Sequence, residues 1–162
     1  FSILEKMGTK ISWFNMRSEM GELVGDVHVY SQPLNGLNIS DETIPLIIDE
    51  IPIIAVLATQ ADSPTIIKGA QELRVKESDR INSICHNLKK MGADIIETND
   101  GFIINPENKL THTKINAFGD HRIAMAFTIA GLMTNKQNSL DDVSCVDISF
   151  PEFFDILRKI SK

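Results

Sequence analysis

The chain has 162 residues, of which 43% are hydrophobic and 23% charged, and its formal net charge is −6. This composition indicates one ordinary globular domain with a real core, and it excludes a disordered or fibrous chain. The acidic balance argues against nucleic acid or an anionic membrane as a partner, but a local cluster of Lys and Arg could still bind a small anion.

The two cysteines give neither a disulfide framework nor the spacing of a metal site. Cys85 falls on the apolar face of a predicted helix and Cys145 in a predicted apolar strand. Both are therefore interpreted as core residues of a protein in a reducing, cytoplasmic compartment. The most apolar stretch, residues 44–58, is interrupted by charges and proline and is too short to cross a membrane.

The first residues are typical of the end of a helix. Phe1 is not a start residue, and the apolar segment Leu4–Gly8 ends at a glycine, which readily adopts the left-handed conformation that terminates helices. We therefore expect a piece of a longer protein. The pattern of Leu4–Ile11 returns as Leu88–Ile95, each time a helix, a glycine and a strand, which predicts an internal repeat.

Short β-rich runs alternate with helical segments along the rest of the chain. The predicted strands are Lys10–Phe14, Val27–Tyr30, Thr65–Lys68, Asp94–Thr98, Phe102–Ile104, Lys114–Ala117 and Val143–Ile148. The Asn99-Asp100-Gly101 triplet predicts a hairpin between two of them.

The predicted helices are of two kinds. Ser78–Gly92 is amphipathic, and Pro151–Ile160 carries apolar residues at helical spacing. The helices that follow Asp49–Glu50 and Asp120–Arg122 are apolar nearly all round, so we expect them at the centre with sheets packed around them. The sequence thus predicts a single α/β domain with buried helices and outer sheets.

Charged residues are concentrated at three helix starts. Within Arg74–Arg80 five of seven residues are charged, and Lys76, Glu77 and Arg80 would be neighbours on a first helical turn. Guanidinium groups bind carboxylates and phosphates through two parallel hydrogen bonds. The alternative is a solvated helix start with ion pairs of its own, which is the commoner fate of an isolated charge cluster.

The charged residues at the other two helix starts could likewise serve either function or structure. Asp120, His121 and Arg122 open an Ala-rich helix whose free N–H groups could hold an anion, or Asp120 could simply cap it. Asp49 could be a general base for a hydroxyl, or only a cap. If the helices are parallel, their starts share one rim, where a phosphate or carboxylate substrate would bind without a metal.

Several segments are specific in their order and spacing. They are Asp49–Pro52, Glu72–Ile81, Leu88–Gly92, Gly119–Ala126 and Ser149–Pro151 with Phe154. Together they resemble the 5-enolpyruvylshikimate-3-phosphate synthase family, and the likeness covers essentially the whole chain. The resemblance implies two globular domains of three βαβαββ units each, with buried parallel helices and outer sheets, an inside-out α/β barrel of the enolpyruvyl transferase type.

The resemblance implies that residues 1–162 are most of the carboxy-terminal domain of a two-domain enzyme and that the amino-terminal domain is absent. The implied reaction transfers the enolpyruvyl group of phosphoenolpyruvate to shikimate 3-phosphate, in chorismate and aromatic amino acid biosynthesis. It implies that the reaction needs no metal and no organic cofactor. The parent enzyme would be a cytoplasmic monomer without a nucleic acid or membrane partner. The isolated chain is expected to fold without turnover.

The resemblance also implies roles by position. Asp49 would contact the hydroxyls of shikimate 3-phosphate and act as the base. Lys76 would lie at the junction of both substrates, and Glu77 would be the acid and base for C3 of phosphoenolpyruvate. Arg80 and Arg122 would hold phosphoenolpyruvate, with His121 alongside.

One departure and two rival interpretations accompany the resemblance. Some members have a lysine before the Ser/Thr-Phe-Pro turn, where this chain has Ile148, so a branch without that lysine or a rearranged phosphate site is implied. The related UDP-N-acetylglucosamine enolpyruvyl transferases share the fold and the donor, but the Arg74–Ile81 and Gly119–Ala126 segments favour the shikimate branch. A non-catalytic anion-binding module is the rival from another class.

Overall fold

The computed structural model describes residues 1–106 and 108–161. Its helices are α1 (Ser2–Lys6), α2 (Ile44–Ile47), α3 (Ile51–Ala58), α4 (Arg80–Lys90), α5 (His121–Gly131) and α6 (Phe153–Ile160). Its strands are β1 (Ile11–Glu19), β2 (Glu22–Val29), β3 (Asn38–Ile39), β4 (Thr65–Ile67), β5 (Ile95–Thr98), β6 (Gly101–Ile104), β7 (Lys114–Ile115) and β8 (Ser139–Leu140). None of the helices in these described ranges combines the length and hydropathy that a membrane crossing needs.

Residues 38–104 form a complete βαβαββ unit. β3 pairs in parallel with β4, and β4 pairs antiparallel with β6, which pairs antiparallel with β5. The four-stranded sheet has the order β3-β4-β6-β5, and α3 and α4 connect its strands. Gly101 begins β6 close to the Ile67 backbone, where a Cβ would come within 2.0 Å of the Ile67 carbonyl oxygen. The pairing of β4 with β6 therefore requires a residue without a side chain at this point.

The two apolar helices lie at the centre, as the sequence predicts. Ile51 and Ala55 of α3 and Phe127 of α5 are fully buried in one contiguous apolar core. α4 turns its apolar stripe, which includes Ile84 and Leu88, into the same core. The sheets therefore cover a layer of helices, because these helices have little polar surface to offer to water.

The predicted internal repeat is confirmed. α1, β1 and β2 repeat the order of α4, β5 and β6, and each helix is followed by a glycine in the left-handed region, Gly8 with φ 94° and Gly92 with φ 90°. β1 and β2 pair antiparallel, as β5 and β6 do. The first copy forms a separate two-stranded sheet, whereas the second belongs to the four-stranded sheet.

A third set of elements follows the complete unit. β7 and β8 pair in parallel on either side of α5, as β3 and β4 do on either side of α3. α6 then follows β8, in the place that α4 occupies after β4. Residues 114–160 thus repeat the βαβα part of the unit.

The structure corrects three local predictions. Val143–Ile148 is not a strand, because Ser144–Ile148 is a 3-10 helix, so Cys145 is buried there and not in a strand. Lys76 and Glu77 are not on the first turn of a helix, because α4 begins only at Arg80. The two-residue strands β3 and β8 are not among the predicted strands.

Candidate active site

The amino ends of α3, α4 and α5 meet at one place. Asp79 caps α4 by accepting a hydrogen bond of 2.9 Å from the Asn82 amide, and Asp120 caps α5 by accepting one of 2.9 Å from the Arg122 amide. α3 follows a 3-10 helix that contains Asp49, whose side chain caps neither helix. The simple capping interpretation of Asp49 is therefore wrong.

Arg80 joins the three helix starts. Its side chain is only 1% exposed, yet it is held by three carboxylates. Nε donates to Asp120 Oδ2 at 2.7 Å, Nη1 to Asp49 Oδ1 at 2.8 Å and Nη2 to Glu77 Oε2 at 2.7 Å. A buried guanidinium group is stable only when its donors are satisfied, and these contacts use both edges of its fork.

Asp49 is the second centre of contacts. Besides Arg80 it faces Lys76, whose Nζ lies 3.7 Å from Oδ1, and Arg122, whose Nη2 lies 4.0 Å from Oδ2. Arg122 Nη1 also donates to the Asp49 carbonyl oxygen at 2.8 Å and lies 3.4 Å from Glu50 Oε1. The Asp49 side chain thus lies among three cations and remains 41% exposed, within reach of a ligand.

The cations set the charge state of the two aspartates. Burial alone would raise the pKa of Asp49, but the hydrogen bond from Arg80 and the charges of Arg122 and Lys76 outweigh it and hold that pKa below its usual range. For Asp120 burial again acts upward, while the hydrogen bond and charge of Arg80 bring the pKa below its usual range. Both carboxyls are therefore ionised at neutral pH.

A small cavity of about 200 Å³ opens beside these charges. Asp49 and Arg122 form its polar side, while Ile53 of α3 and Met125 and Ile129 of α5 supply apolar walls. A ligand at this point would contact a carboxylate, a guanidinium group and an apolar floor together.

The charges of the site are nearly balanced. Lys76, Arg80 and Arg122 oppose four carboxylates, which are those of Asp49, Glu50, Glu77 and Asp120. With one more carboxylate than cations, the site is polar and carries a slight net negative charge. An incoming anion would have to replace one of these carboxylates as the partner of a cation, or find further cations elsewhere.

Most of the residues predicted from the sequence come together here. Asp49, Lys76, Glu77, Arg80 and Arg122 form one connected set of ion pairs. The His121 side chain lies at the first position of α5 and takes part in none of the hydrogen bonds or ion pairs found between the described residues. Ile148 is exposed at the end of the 3-10 helix Ser144–Ile148.

Three residues of the site are not in the predicted set. Glu50 pairs with Arg122, Ser78 donates to Asp120 at 3.1 Å, and Asp120 holds the inner edge of Arg80. The capping signal of Asp120 is visible in the sequence, but its bond to Arg80 joins residues 40 apart and has no local signature. Among residues 1–106 and 108–161 no group of three or more His, Cys, Asp or Glu is arranged to hold a metal ion.

Comparison with known sequences identifies the family. The sequence model of the family described as EPSP synthase (3-phosphoshikimate 1-carboxyvinyltransferase) matches residues 1–157. The 3-phosphoshikimate 1-carboxyvinyltransferase of Petrotoga mobilis is 49% identical over 160 residues, which are 98% of this chain and 37% of that relative. The enzyme of that name from Sulfurihydrogenibium sp. is 44% identical over 162 residues, 100% of this chain and 38% of the relative. The chain thus spans little more than a third of the length of the curated relatives it matches.

Comparison with solved structures agrees with this result. An EPSP synthase from Acinetobacter baumannii superposes with a TM-score of 0.90 at 37% identity, covering 98% of this chain and 37% of that chain. The enolpyruvyl transferase NikO from Streptomyces tendae superposes with a TM-score of 0.70 at 17% identity, over 99% of this chain and 34% of that chain, and so shares the fold. The predicted α/β fold of the enolpyruvyl transferase type is confirmed. With a family match over nearly its whole length, the chain belongs to the EPSP synthase family.

Proposed function

We propose that this chain is most of the carboxy-terminal domain of a 3-phosphoshikimate 1-carboxyvinyltransferase. The whole enzyme transfers the enolpyruvyl group of phosphoenolpyruvate to the 5-hydroxyl of shikimate 3-phosphate and releases phosphate. The observation that carries the proposal is the meeting of Asp49, Glu77 and three cations at the joined starts of α3, α4 and α5. The shared name of the relatives supports it.

The two exposed carboxylates supply the proton transfers. Asp49 is ionised and 41% exposed, so it accepts the proton of the substrate hydroxyl as the oxygen attacks C2 of phosphoenolpyruvate. Glu77 is 48% exposed, so it can take up a proton from water once the donor carboxylate replaces it on Arg80, and it gives that proton to C3 as the tetrahedral intermediate forms. Glu77 then takes a proton back from C3 as the C2–O bond to phosphate breaks. Lys76, 3.7 Å from Asp49, lies at the junction of the two substrates.

The arginines bind the donor. Arg122 is 34% exposed at the mouth of the cavity. Its Nη1 is held by the Asp49 carbonyl oxygen at 2.8 Å, whereas its Nη2 lies 4.0 Å from Asp49 Oδ2, so this part of the guanidinium group can bind an anion. Arg80 reaches the donor through its outer edge, where a donor carboxylate replaces Asp49 or Glu77. His121 lies beside them at the start of α5. The charge that develops in the intermediate is thus opposed by fixed cations and helix starts.

The chain supports only part of such a site. Its four carboxylates outnumber its three cations, so further cations for a phosphorylated substrate and donor come from the rest of the longer protein. The repeat units also support a longer protein. β1 with β2 and β7 with β8 form two-stranded sheets, whereas the complete unit has a sheet of four strands. We assign the missing amino-terminal domain as the partner, within a monomeric cytoplasmic enzyme that uses neither a metal nor an organic cofactor.

The test is phosphate release from shikimate 3-phosphate and phosphoenolpyruvate by the longer polypeptide that contains this chain. Asp49→Ala and Glu77→Ala should each lower kcat about a hundredfold or more, as loss of general acid–base catalysis does. Arg122→Ala should mainly raise the KM of phosphoenolpyruvate, and the exposed Glu19→Gln should change neither constant. The isolated chain should release no phosphate. Unchanged kinetics in Glu77→Ala would reject its role, and turnover by the isolated chain would reject the missing half.

A further inference from the structure

Asp120 is the most completely buried acidic group of the site. It is 0% exposed, and its two oxygens accept four hydrogen bonds. Oδ2 accepts from Arg80 Nε at 2.7 Å and from Ser78 Oγ at 3.1 Å, while Oδ1 accepts from the Arg122 amide at 2.9 Å and from Arg80 Nη2 at 3.3 Å. A cap requires only one of these contacts, so capping alone does not account for the environment of Asp120.

The two edges of Arg80 differ in what surrounds them. Its inner edge, Nε with Nη2, grips the fully buried Asp120 in a bidentate pair. Its outer contacts go to Asp49 and Glu77, whose side chains are 41% and 48% exposed. Replacing an outer carboxylate by a ligand leaves that carboxylate in water. Replacing Asp120 would leave an unpaired charge in the core, which is far more costly.

From this asymmetry we propose that Asp120 is a positioning residue that acts through Arg80. It fixes the inner edge of the guanidinium group and so aims the outer edge at the place where the carboxylate of the donor binds. The inference deepens the proposed function and rests on it. Asp120 itself touches neither substrate.

The same carboxylate also fixes the second arginine. Through the cap bond to the Arg122 amide, Asp120 sets the first turn of α5 from which the Arg122 side chain extends to Asp49. One buried group thus holds a side chain of α4 and the backbone of α5 in a common frame. Ser78 supports that frame from the turn before α4, where it also accepts a hydrogen bond of 3.2 Å from Ser83.

The matched control is Asn87, which is equally buried and equally structural. It lies on α4, donates to the Asn116 carbonyl at 2.9 Å and accepts from the Asn116 amide at 3.0 Å, away from the charged residues. Asp120→Asn keeps a good N-cap and nearly the same shape, but it removes the charge that holds Arg80. Asp120→Ser keeps the cap with a shorter side chain and serves if the first variant does not fold.

In the longer polypeptide, Asp120→Asn should raise the KM of phosphoenolpyruvate roughly tenfold, equivalent to about 1.4 kcal/mol, and leave the KM of shikimate 3-phosphate within about twofold. Asn87→Ala should lower Tm and leave both KM values unchanged. Arg80→Lys should also raise the donor KM, and the double variant should be no worse than Arg80→Lys alone, because Asp120 acts through Arg80. Multiplying effects in the double variant, or a Tm loss in Asp120→Asn without a change in the donor KM, would overturn the inference.

A second measurement does not depend on activity. The Nε–H of Arg80 should give an NMR signal that is protected from solvent exchange in the wild-type protein, absent in Arg80→Lys and fast-exchanging in Asp120→Asn or Asp120→Ser. Asn87→Ala should keep it. If the wild-type protein releases no phosphate but this pattern is found, the proposed function fails while the anchoring of Arg80 stands. If phosphate is released and the signal stays protected in Asp120→Asn, the positioning role of Asp120 is rejected while the proposed function stands.

Discussion

The hairpins β1–β2 and β5–β6 have the same local design and opposite surroundings. Both follow a helix and a left-handed glycine, and both close with a two-residue turn. β5–β6 is joined to β4 in a four-stranded sheet over the core, and Phe102 on β6 is fully buried. β1–β2 stands alone, and its Trp13, Phe14 and Leu23 are 43%, 49% and 73% exposed.

This difference shows that local sequence sets the conformation of a hairpin, while its neighbours decide its burial. An apolar sheet face left open to water is uncommon in a finished domain. Phe1, Trp13, Met16 and Leu23 line an open cavity of about 770 Å³ on that face. Under the proposed domain assignment, the rest of the longer protein covers it.

The largest expected effect compares the buried Phe102 with Trp13 on the open face of β1–β2. In this chain, Phe102→Ala should lower the free energy of unfolding by about 3–5 kcal/mol because it opens a cavity in the core. Trp13→Ala should lower it by only about 1 kcal/mol because that side chain is already 43% exposed. Urea unfolding followed by circular dichroism measures both values.

The same pair sharpens the domain assignment when it is placed in the longer polypeptide. There the cost of Trp13→Ala should approach that of Phe102→Ala, because the open face that Trp13 lines would be covered. A cost for Trp13→Ala that is equally small in both lengths would show that this face of β1–β2 stays exposed, against the proposed assignment.

The ion pairs of the active-site region and of the β1–β2 hairpin also differ in burial. Asp120 is buried against Arg80, whereas Arg17 and Glu19 of β1 form a pair with more than half of each side chain exposed. At pH 7 Asp120→Asn should lower the free energy of unfolding by about 2 kcal/mol, and Glu19→Gln should change it by under about 0.5 kcal/mol.

The stabilisation by the Asp120–Arg80 pair should depend on pH. Because Arg80 lowers the pKa of Asp120 in the folded chain, its stabilisation is complete above the unfolded pKa of about 3.9 and is lost as the pH falls through the folded pKa. The gap in Tm between wild type and Asp120→Asn should therefore close as the pH falls below about 4. A gap that stays constant from pH 7 to pH 3 would contradict the assigned charge pair.

Much of the fold can be predicted from the sequence, because many of its elements follow from local patterns of residues. α3 and α5 carry apolar residues nearly all round, and Leu88–Ile95 repeats the pattern of Leu4–Ile11, so the type and place of these elements are local properties. The Asn99–Asp100 turn was likewise predicted. The two-residue strands β3 and β8 have no such pattern, because they exist only through pairing with β4 and β7.

The failures concern long-range choices. Residues 143–148 are an apolar run that fits a strand or a helix equally, and the outcome is set by burial of Cys145 and Val146 against α5. Similarly, the sequence predicts Arg80 as a site residue but not as a buried one. Its burial depends on Asp49 and Asp120, which lie 31 and 40 residues away along the chain.

The turns of the two hairpins provide the smallest effect. The β5–β6 turn is tied to the domain, since Asp100 accepts a hydrogen bond of 2.9 Å from the Gly69 amide. The β1–β2 turn is Met20–Gly21, with φ of 52° and 86°, and Met20 is fully exposed. Both central residues have positive φ, as a type I′ turn requires, and this conformation suits asparagine but is costly for methionine.

Met20→Asn should therefore raise the free energy of unfolding of this chain by about 0.5–1 kcal/mol, the usual gain when a residue matches its turn conformation. The matched control is Met16→Asn on β1, where a strand conformation disfavours asparagine and the change should be destabilising. The gain at Met20 arises within the hairpin itself, so it should be the same in the isolated chain and in the longer polypeptide, unlike the cost of Trp13→Ala. A gain that appears only in one of the two lengths would mean that this turn, too, takes its conformation from its neighbours.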